Sequence, residues 1–176
     1  MIHSFDNLGA IPSPKDKRDF TTKRLVKYVA AAGIVPESYS TDLSDVPVLY
    51  QGKQPACVGH AIAGAMMDTD NGAYSYDYAP RFIYALSKNM DGLPLVEGTP
   101  ARVAFKVGQK IGVCDNVQFP NDINLEKFVY NNSTLIPANA YGIAKDRKIK
   151  SYVLVSDKSF DGLKRAIYEN GVVILG

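Results

Sequence analysis

Two residues of the chain are of types that could do chemistry together: Cys57 and, six positions before it, Gln51. Cys57 opens the segment CVGHAIAGAMM, whose small and apolar residues predict a buried helix over 57–67. At the start of a helix, the unpaired N–H groups and the positive end of the dipole favour thiolate over thiol. The Gln51 amide and the backbone N–H of Cys57 could then form an oxyanion hole. The pair therefore predicts acyl transfer through a cysteine nucleophile.

Simpler explanations exist for the same residue types. A lone buried cysteine is usually a small core residue, and a single glutamine such as Gln51 can be an ordinary turn residue. Cys114, in GVC, has no comparable partner, so we expect a half-buried structural thiol there rather than a second nucleophile or half of a disulfide. Two cysteines with two histidines, His3 and His60, cannot form a zinc-ligand spacing. We expect no metal and no cofactor.

The composition is that of an ordinary globular protein. The 176 residues have room for one compact domain; 46% are hydrophobic, 22% are charged, and the formal net charge is +2. Such a balanced charge argues against nucleic acid as the main partner. No apolar run has the length of a signal peptide or a membrane span, and two cysteines suit a reducing compartment. We expect a cytoplasmic protein with neither a nucleic-acid nor a membrane partner.

The rest of the chain predicts helices first and strands last. Apolar periodicity, proline in the first turn and glycine after the last turn predict three more helices, at 22–32, 80–89 and 100–111. The last third is rich in β-branched and aromatic residues, which predict strands at 150–155 and 172–175 around a helix at 157–170. The final strand would leave a sheet edge open to pairing, so we expect the chain to be cut short.

Several segments resemble one known family. Gln51-Gly52, Pro55-Ala56-Cys57 and the small-residue helix after them are similar to the active-site entry of papain-like cysteine peptidases, and the spacing from Gln51 to Cys57 is the specific part. The sequence PACVG departs from the family's C-G-S-C-W, because the extra cysteine and the aromatic residue are absent. The similarity is to C1-type, bacterial and phage-borne members, and it extends over Ile11-Pro12, Lys17-Arg18-Asp19, Asp42-Leu43 and 75–114, with a weak return near the end of the chain.

The resemblance implies a role for each of five residues. Cys57 would be the nucleophile and Gln51 the oxyanion donor. Glu97, Gly98 and Thr99 resemble the strip whose backbone pairs with an extended peptide or protein substrate. Gly98 would allow close backbone approach, since it has no Cβ, and Thr99 would border a side-chain pocket. A turn before the following helix explains Gly98 equally well.

The chain lacks an evident catalytic base. The thiol needs a histidine to take its proton, and the family places its His and Asn about 130–150 residues after the Cys. This chain ends at Gly176, 119 residues after Cys57. His60 lies one turn along the same helix as Cys57, and His3 lies near the terminus. Neither position suits a base that must face the sulfur.

Three hypotheses remain. The first, which we favour, is the N-terminal part or half of a peptidase whose further lobe, on a longer chain or a partner chain, supplies His and Asn. The second is a catalytically inactive papain-like module that binds a partner or builds a structure, for example in a viral particle. The third is an unrelated α+β domain in which the spacing from Gln51 to Cys57 arose by chance.

The expected architecture is α+β and papain-like, a mainly helical lobe followed by the beginning of a β-rich lobe. We expect an N-terminal arm with a short helix at 1–41, the helical lobe that carries the Cys57 helix at 42–132, and an incomplete β-rich lobe at 133–176. A phage-borne protein of this kind would be associated with the virion. No long pro-segment is evident before Asp42, so we do not expect control by removal of an inhibitory pro-region.

Overall fold

The computed structural model describes residues 9–22, 34–40, 44, 46–70 and 77–175. The helix predicted at 22–32 lies outside these residues, apart from Thr22. None of the helices described has both the length and the apolar character that a membrane crossing demands. The elements are, in chain order, β1 (Ala10–Ile11), α1 (Cys57–Thr69), α2 (Pro80–Met90), β2 (Thr99–Pro100), α3 (Ala101–Lys110), α4 (Lys127–Tyr130), a 3-10 helix (Ser133–Leu135), α5 (Ala138–Ala144) and α6 (Phe160–Asn170).

The helices α1, α2 and α3 confirm the sequence prediction to within two residues at each end. The helix α1 begins at Cys57, and α2 begins at Pro80, which suits the first helical turn because it has no N–H to satisfy. The helix α3 begins one residue after Pro100, since Pro100 keeps an extended conformation, with φ −65° and ψ 133°, and belongs to β2. Local signals therefore predict these three helices well.

The core lies between α1, α2 and α3. All three helices contribute side chains that are fully buried, and the largest aliphatic and aromatic ones include Ile62, Met67, Phe82, Ile83 and Val107. Burying one such side chain contributes about 1.5–3 kcal/mol. The helix α2 is the central one, because nearly every residue along it is buried. This packing sets the direction of α1 and hence the place of Cys57 at its tip.

The helices α1 and α2 approach closely at Gly59. A Cβ atom at this position would lie 2.6 Å from the carbonyl oxygen of Pro80 and 2.9 Å from Cβ of Tyr84. Real side chains do not approach so closely, so only glycine allows the first turn of α1 to rest on the start of α2. Cys57 lies two residues before Gly59, and its position depends on this contact.

The prediction of two strands near the end of the chain is wrong. Within 150–155, Leu154 forms a single parallel bridge with Thr21, and 172–175 forms no ladder with any described residue. A strand forms only where neighbouring backbone takes up its N–H and C=O groups. Leu154 finds such a neighbour in the N-terminal segment, where its N–H donates to the carbonyl of Phe20 at 2.8 Å. Extended backbone with one bridge is the result.

Helices occupy much of the segment predicted as the start of a β-rich lobe. The 3-10 helix, α5 and α6 all lie within 133–175. The predicted helix 157–170 begins at Phe160 rather than at 157, because the Ser159 hydroxyl accepts a hydrogen bond from Gly162 N–H at 3.1 Å and caps the helix. The boundaries at 41/42 and 132/133 stay predictions.

Candidate active site

The sulfur of Cys57 lies at the N-terminus of α1, as predicted, and the residue is half-buried. The preceding residue, Ala56, has no side-chain acceptor that could cap the first N–H groups of the helix. The backbone N–H groups of Cys57 itself, of Val58 and of Gly9 in the N-terminal segment act on the thiol as hydrogen-bond donors that lower its pKa. Three such donors would stabilise negative charge there.

Burial of the thiol opposes the effect of these donors on its pKa. Burial raises the pKa of the Cys57 thiol above its ordinary value, and the backbone N–H groups of Gly9, Val58 and Cys57 lower it by less. The helix tip alone therefore does not favour the thiolate that the sequence predicts. A cysteine nucleophile forms its thiolate beside a base or a cation.

His60 is held in a structural network. Its Nδ1 donates to the carbonyl oxygen of Ala56 at 2.9 Å, and its Nε2 accepts from the side-chain amide of Asn121 at 3.2 Å. The Asn121 carbonyl oxygen in turn accepts from the Tyr130 hydroxyl at 2.6 Å. Burial lowers the pKa of His60, which keeps the ring neutral. Both ring nitrogens thus have partners other than Cys57, and His3 lies outside the described residues.

Gln51 lies in the turn that leads into Cys57. Its Nε2 donates to the carbonyl oxygen of Gln54 at 2.8 Å, and the same oxygen accepts the N–H of Ala56 at 2.8 Å. The carboxamide and the backbone beside the nucleophile are thus joined through one shared acceptor. A primary amide has two N–H donors, so one of them stays available for another acceptor.

The turn is anchored to the segment that follows α3. Gln54 is 6% exposed, and its Nε2 donates to the carbonyl oxygens of Ile123 at 3.2 Å and Leu125 at 2.6 Å. Gly52 has a φ of 60°, and a Cβ atom there would lie 3.0 Å from the Ile123 side chain. Both the backbone conformation and the space therefore favour glycine at this position. This anchoring places Gln51 relative to Cys57.

Gly98 lies in a close crossing with another part of the chain's own backbone. Its φ is 80°, and a Cβ atom there would overlap the carbonyl group of Gly9. Its N–H donates to the Tyr84 hydroxyl at 3.1 Å, and its carbonyl oxygen accepts from Lys88 Nζ at 2.9 Å. Gly98 is thus held by two side chains of α2 and lies against the backbone of Gly9.

The two neighbours of Gly98 differ in environment. Thr99 is fully buried, its N–H donates to the carbonyl of Gly9 at 2.9 Å, and its Oγ1 has no hydrogen-bond partner among the described residues. Glu97 is exposed and forms an ion pair with Lys127 at 2.6 Å. Gly9 therefore interacts with two of the predicted site residues, Cys57 and Thr99.

Sequence reasoning missed three residues that organise the site: Lys88, Gln54 and Asn121. The ammonium group of Lys88 is buried among Asp91 and the carbonyls of the loop before Gly98. A signal for Lys88 existed in its spacing of three residues from Asp91, which lies just beyond the end of the predicted helix. Nothing local indicated that Gln54 binds carbonyls 69 and 71 positions away or that Asn121 binds His60, 61 positions away. Cys114, for which the sequence predicts a half-buried structural thiol, is instead fully buried in the core.

Comparison with known proteins identifies the fold. No protein-family model and no curated protein matches the sequence. Among solved structures, the chain is similar to xylellain, a cysteine protease from Xylella fastidiosa, with a TM-score of 0.68 and 22% identity over 93% of this chain and 63% of xylellain. It is also similar to a structure from a study of the mite allergens Blo t 1 and Der p 1, with a TM-score of 0.54 and 11% identity over 97% of this chain and 51% of that one. Both are papain-like. The chain therefore has an α+β, papain-like fold, which it shares with structures longer than itself.

Proposed function

We propose that the complete protein is a papain-like cysteine peptidase in which Cys57 attacks the carbonyl carbon of a peptide or protein substrate. The observation that carries this proposal is the position of the sulfur, at the N-terminus of α1 and facing backbone N–H groups, in a papain-like fold. A C1-type assignment, a cytoplasmic or virion-associated location and the lack of a nucleic-acid or membrane partner stay predictions from the sequence.

The reaction has two halves. The Cys57 thiolate forms a bond to the substrate carbonyl carbon, the C–N bond breaks, and a histidine that took the thiol proton returns it to the leaving amine. Water then hydrolyses the thioester and releases the acid. The histidine and its orienting asparagine belong to a further lobe or a partner chain, an assignment supported by the fact that this chain spans 63% of xylellain.

Gln51 would stabilise the oxyanion. Its Nε2 has one N–H group committed to Gln54, and the second, with the backbone N–H of Cys57, would donate to the developing negative charge. The backbone of Gly98 and Thr99, with Glu97 at the edge, would pair with the extended substrate. The support for this pairing is that the same backbone already accepts an extended strand, β1.

The two cysteines provide the test. In the complete protein, iodoacetamide or an epoxide peptidomimetic should label Cys57 far faster than Cys114, which is fully buried. Cys57→Ala should abolish peptide cleavage, and Cys114→Ala should preserve it. Equal labelling of the two thiols in the complete protein, or cleavage that survives Cys57→Ala, would show that Cys57 is not the nucleophile.

A catalytically inactive binding or structural module is the second candidate. It is favoured by the network around His60, whose ring nitrogens bind Ala56 and Asn121 rather than the nucleophile, and by the raised pKa of Cys57. The coding sequence beyond Gly176 discriminates the two functions. A downstream histidine followed by peptide cleavage supports the peptidase, and a remainder without histidine supports the inactive module.

A further inference from the structure

One side chain, Asn121, connects the segment after α3 to the turn 50–56 that leads into the nucleophile. Its Nδ2 donates to the carbonyl oxygen of Tyr50 and to Nε2 of His60, both at 3.2 Å, and its Oδ1 accepts from the Tyr130 hydroxyl at 2.6 Å. Both N–H groups of the carboxamide are therefore used, and its oxygen binds the phenol. Asn121 thus joins α1, α4 and the residue that precedes Gln51.

The carbonyl of Tyr50 is the part of this network that acts on Gln51. It shares one planar peptide unit with the N–H of Gln51, so a group that holds this oxygen also fixes the backbone from which the Gln51 side chain extends. At its far end, the side chain is held by the bond from Gln51 Nε2 to the carbonyl of Gln54. The Gln51 carboxamide is therefore placed from two sides, and Asn121 provides one of them.

The orientation of the Asn121 amide depends on a neutral His60. The Nδ1 of His60 donates to the carbonyl of Ala56 at 2.9 Å, so in the neutral ring Nε2 has no proton and accepts from Asn121. Burial lowers the pKa of His60, and the carbonyls of Ala56 and Tyr50 raise it by less. A proton on Nε2 would face the N–H group of Asn121, and two donors cannot bind each other. Asn121 then has to leave the ring, and the Tyr50 carbonyl loses it as a donor.

Several ionisable side chains lie on the elements around His60. They are Cys57 and Asp68 on α1, Lys53 in the turn 50–56, Arg81 on α2, Asp122 next to Asn121, and Tyr130 on α4. The C-terminal residues 171–175, which line a groove beside His60, have no ionisable side chain. The pKa of His60 is moved by burial first and then by two backbone carbonyls, so local packing governs its protonation.

We propose that Asn121 is a positioning residue for Gln51, which it holds through the Tyr50 carbonyl only while His60 is neutral. Protonation of His60 withdraws Asn121 from that carbonyl, and the Gln51 carboxamide moves. The site thereby responds to acid through a histidine whose ring nitrogens are bound elsewhere than at the nucleophile. The inference rests on the proposed function only in that Gln51 is taken to be the oxyanion donor.

The first experiment follows side-chain signals by NMR in the 176-residue chain. As the pH is lowered from about 8 through the titration of His60, the Nε2 amide signals of Gln51 should move with the same midpoint as the ring signals of His60. Gln109, whose Nε2 donates to the carbonyl of Lys150, is the matched glutamine and should not follow this midpoint. In His60→Gln, the Gln51 signals should stay constant over the same range.

Three outcomes of this experiment would overturn the proposal. The first is a Gln51 signal that does not follow His60 in the parent chain, and the second is an unchanged Gln51 titration in His60→Gln. The third is unfolding of the chain before His60 titrates, because no folded state with a protonated ring would then exist.

The second experiment compares two tyrosines. Tyr130→Phe removes the hydroxyl that fixes the Asn121 amide and leaves the ring in the core, whereas Tyr141→Phe removes a hydroxyl from an exposed ring on α5. With its amide free to turn, Asn121 opposes protonation less, so the pKa of His60 should rise by at least about 0.5 in Tyr130→Phe, as the loss of one net hydrogen bond would produce. The midpoint of the Gln51 signals should rise with it. Equal midpoints in the two variants would mean that Tyr130 does not orient Asn121.

The third experiment compares two asparagines at about pH 8, where His60 is neutral. Asn121→Ala should already displace the Gln51 amide signals, since the Tyr50 carbonyl has lost its donor. Asn139→Ala, at an exposed position of α5, should leave them in place. Gln51 signals in Asn121→Ala that match those of the parent chain would show that Asn121 does not position Gln51.

The positioning role and the peptidase can fail separately. In the complete protein, kcat for peptide cleavage should fall at the midpoint of His60 in the parent and not in His60→Gln, with KM changed little, because an oxyanion donor acts on the transition state. If Gln51 follows His60 by NMR but the complete protein cleaves no peptide, the positioning role stands and the proposed function is wrong. If peptides are cleaved while the Gln51 signals ignore His60, the peptidase stands and the positioning role is wrong.

Discussion

The ammonium group of Lys88 donates to the carbonyl oxygen of Gly98 at 2.9 Å, and the lysine is only 6% exposed. The same nitrogen lies 2.8 Å from the carboxylate of Asp91 and 2.8 Å from the carbonyl oxygens of Leu93 and Val96. One buried charge thus closes the loop between α2 and β2. The buried ammonium group of Lys88 therefore helps to fix the conformation of Gly98, which belongs to the candidate substrate strip.

Replacing this lysine should strongly destabilise the chain. Lys88→Met leaves the Asp91 carboxylate, whose side chain is fully buried, without its partner, and breaking a buried pair costs about 3–5 kcal/mol. Urea unfolding measures the difference. Lys110→Met, at the exposed end of α3, is the matched control and should change the free energy of unfolding by less than about 0.5 kcal/mol. Equal urea midpoints for the two variants would contradict the role of Lys88.

Replacing each of two glycines in α1 with alanine should change the stability of the protein in opposite directions. Gly59→Ala pushes α1 away from Pro80 and Tyr84, and overpacking of this kind costs about 1–3 kcal/mol. A Cβ atom on Gly64 meets nothing within 4 Å, so Gly64→Ala should stabilise the helix by about 0.5–1 kcal/mol. The midpoint temperature of thermal unfolding should therefore be lower in Gly59→Ala and higher in Gly64→Ala than in the parent chain. A shift of the same sign in both would mean that the α1–α2 contact tolerates a Cβ at Gly59.

The buried ring of His60 should make stability depend on pH. Burial lowers the pKa of His60 below its ordinary 6.5, so the unfolded chain takes up a proton at a pH where the folded chain does not. The stability that the neutral ring contributes is present above pH 6.5 and is lost as the pH falls toward the folded value. Between about pH 7 and about pH 5, the free energy of unfolding should fall more for the parent chain than for His60→Gln, because glutamine does not titrate. Identical losses would count against a buried neutral His60.

The buried thiol of Cys114 should make the stability of the protein depend on pH in the alkaline range. Burial raises the pKa of Cys114 to about 12 from an ordinary 9.0, so the folded state keeps the proton that the unfolded state releases. Stability is full below pH 9 and falls as the pH rises toward 12, by at most about 1.4 kcal/mol per pH unit. Cys114→Ala should lose less stability than the parent chain between about pH 8 and about pH 10 in urea unfolding. Parallel losses in the two proteins would show that Cys114 is not buried in this way.

Local signals in the sequence determined the part of the fold that holds the candidate nucleophile. The small residues after Cys57 predicted α1, and Pro80 predicted the start of α2, because helix initiation and amphipathic periodicity depend on residues within a few positions of one another. The resemblance to papain-like peptidases also came from short segments, the spacing from Gln51 to Cys57 above all. The comparison of structures confirms the fold that this resemblance implies.

The tertiary structure alone decided how distant residues meet. The pairing of Ala10 with Thr99 and the contact of Gly9 with Cys57 join parts of the chain that no local pattern connects. The predicted strand at 150–155 failed for the same reason, since strand formation depends on a neighbouring backbone and not on β-propensity alone. Sequence periodicity reports which face of a segment is apolar, whereas the partner of that face is chosen by the packing of the whole chain.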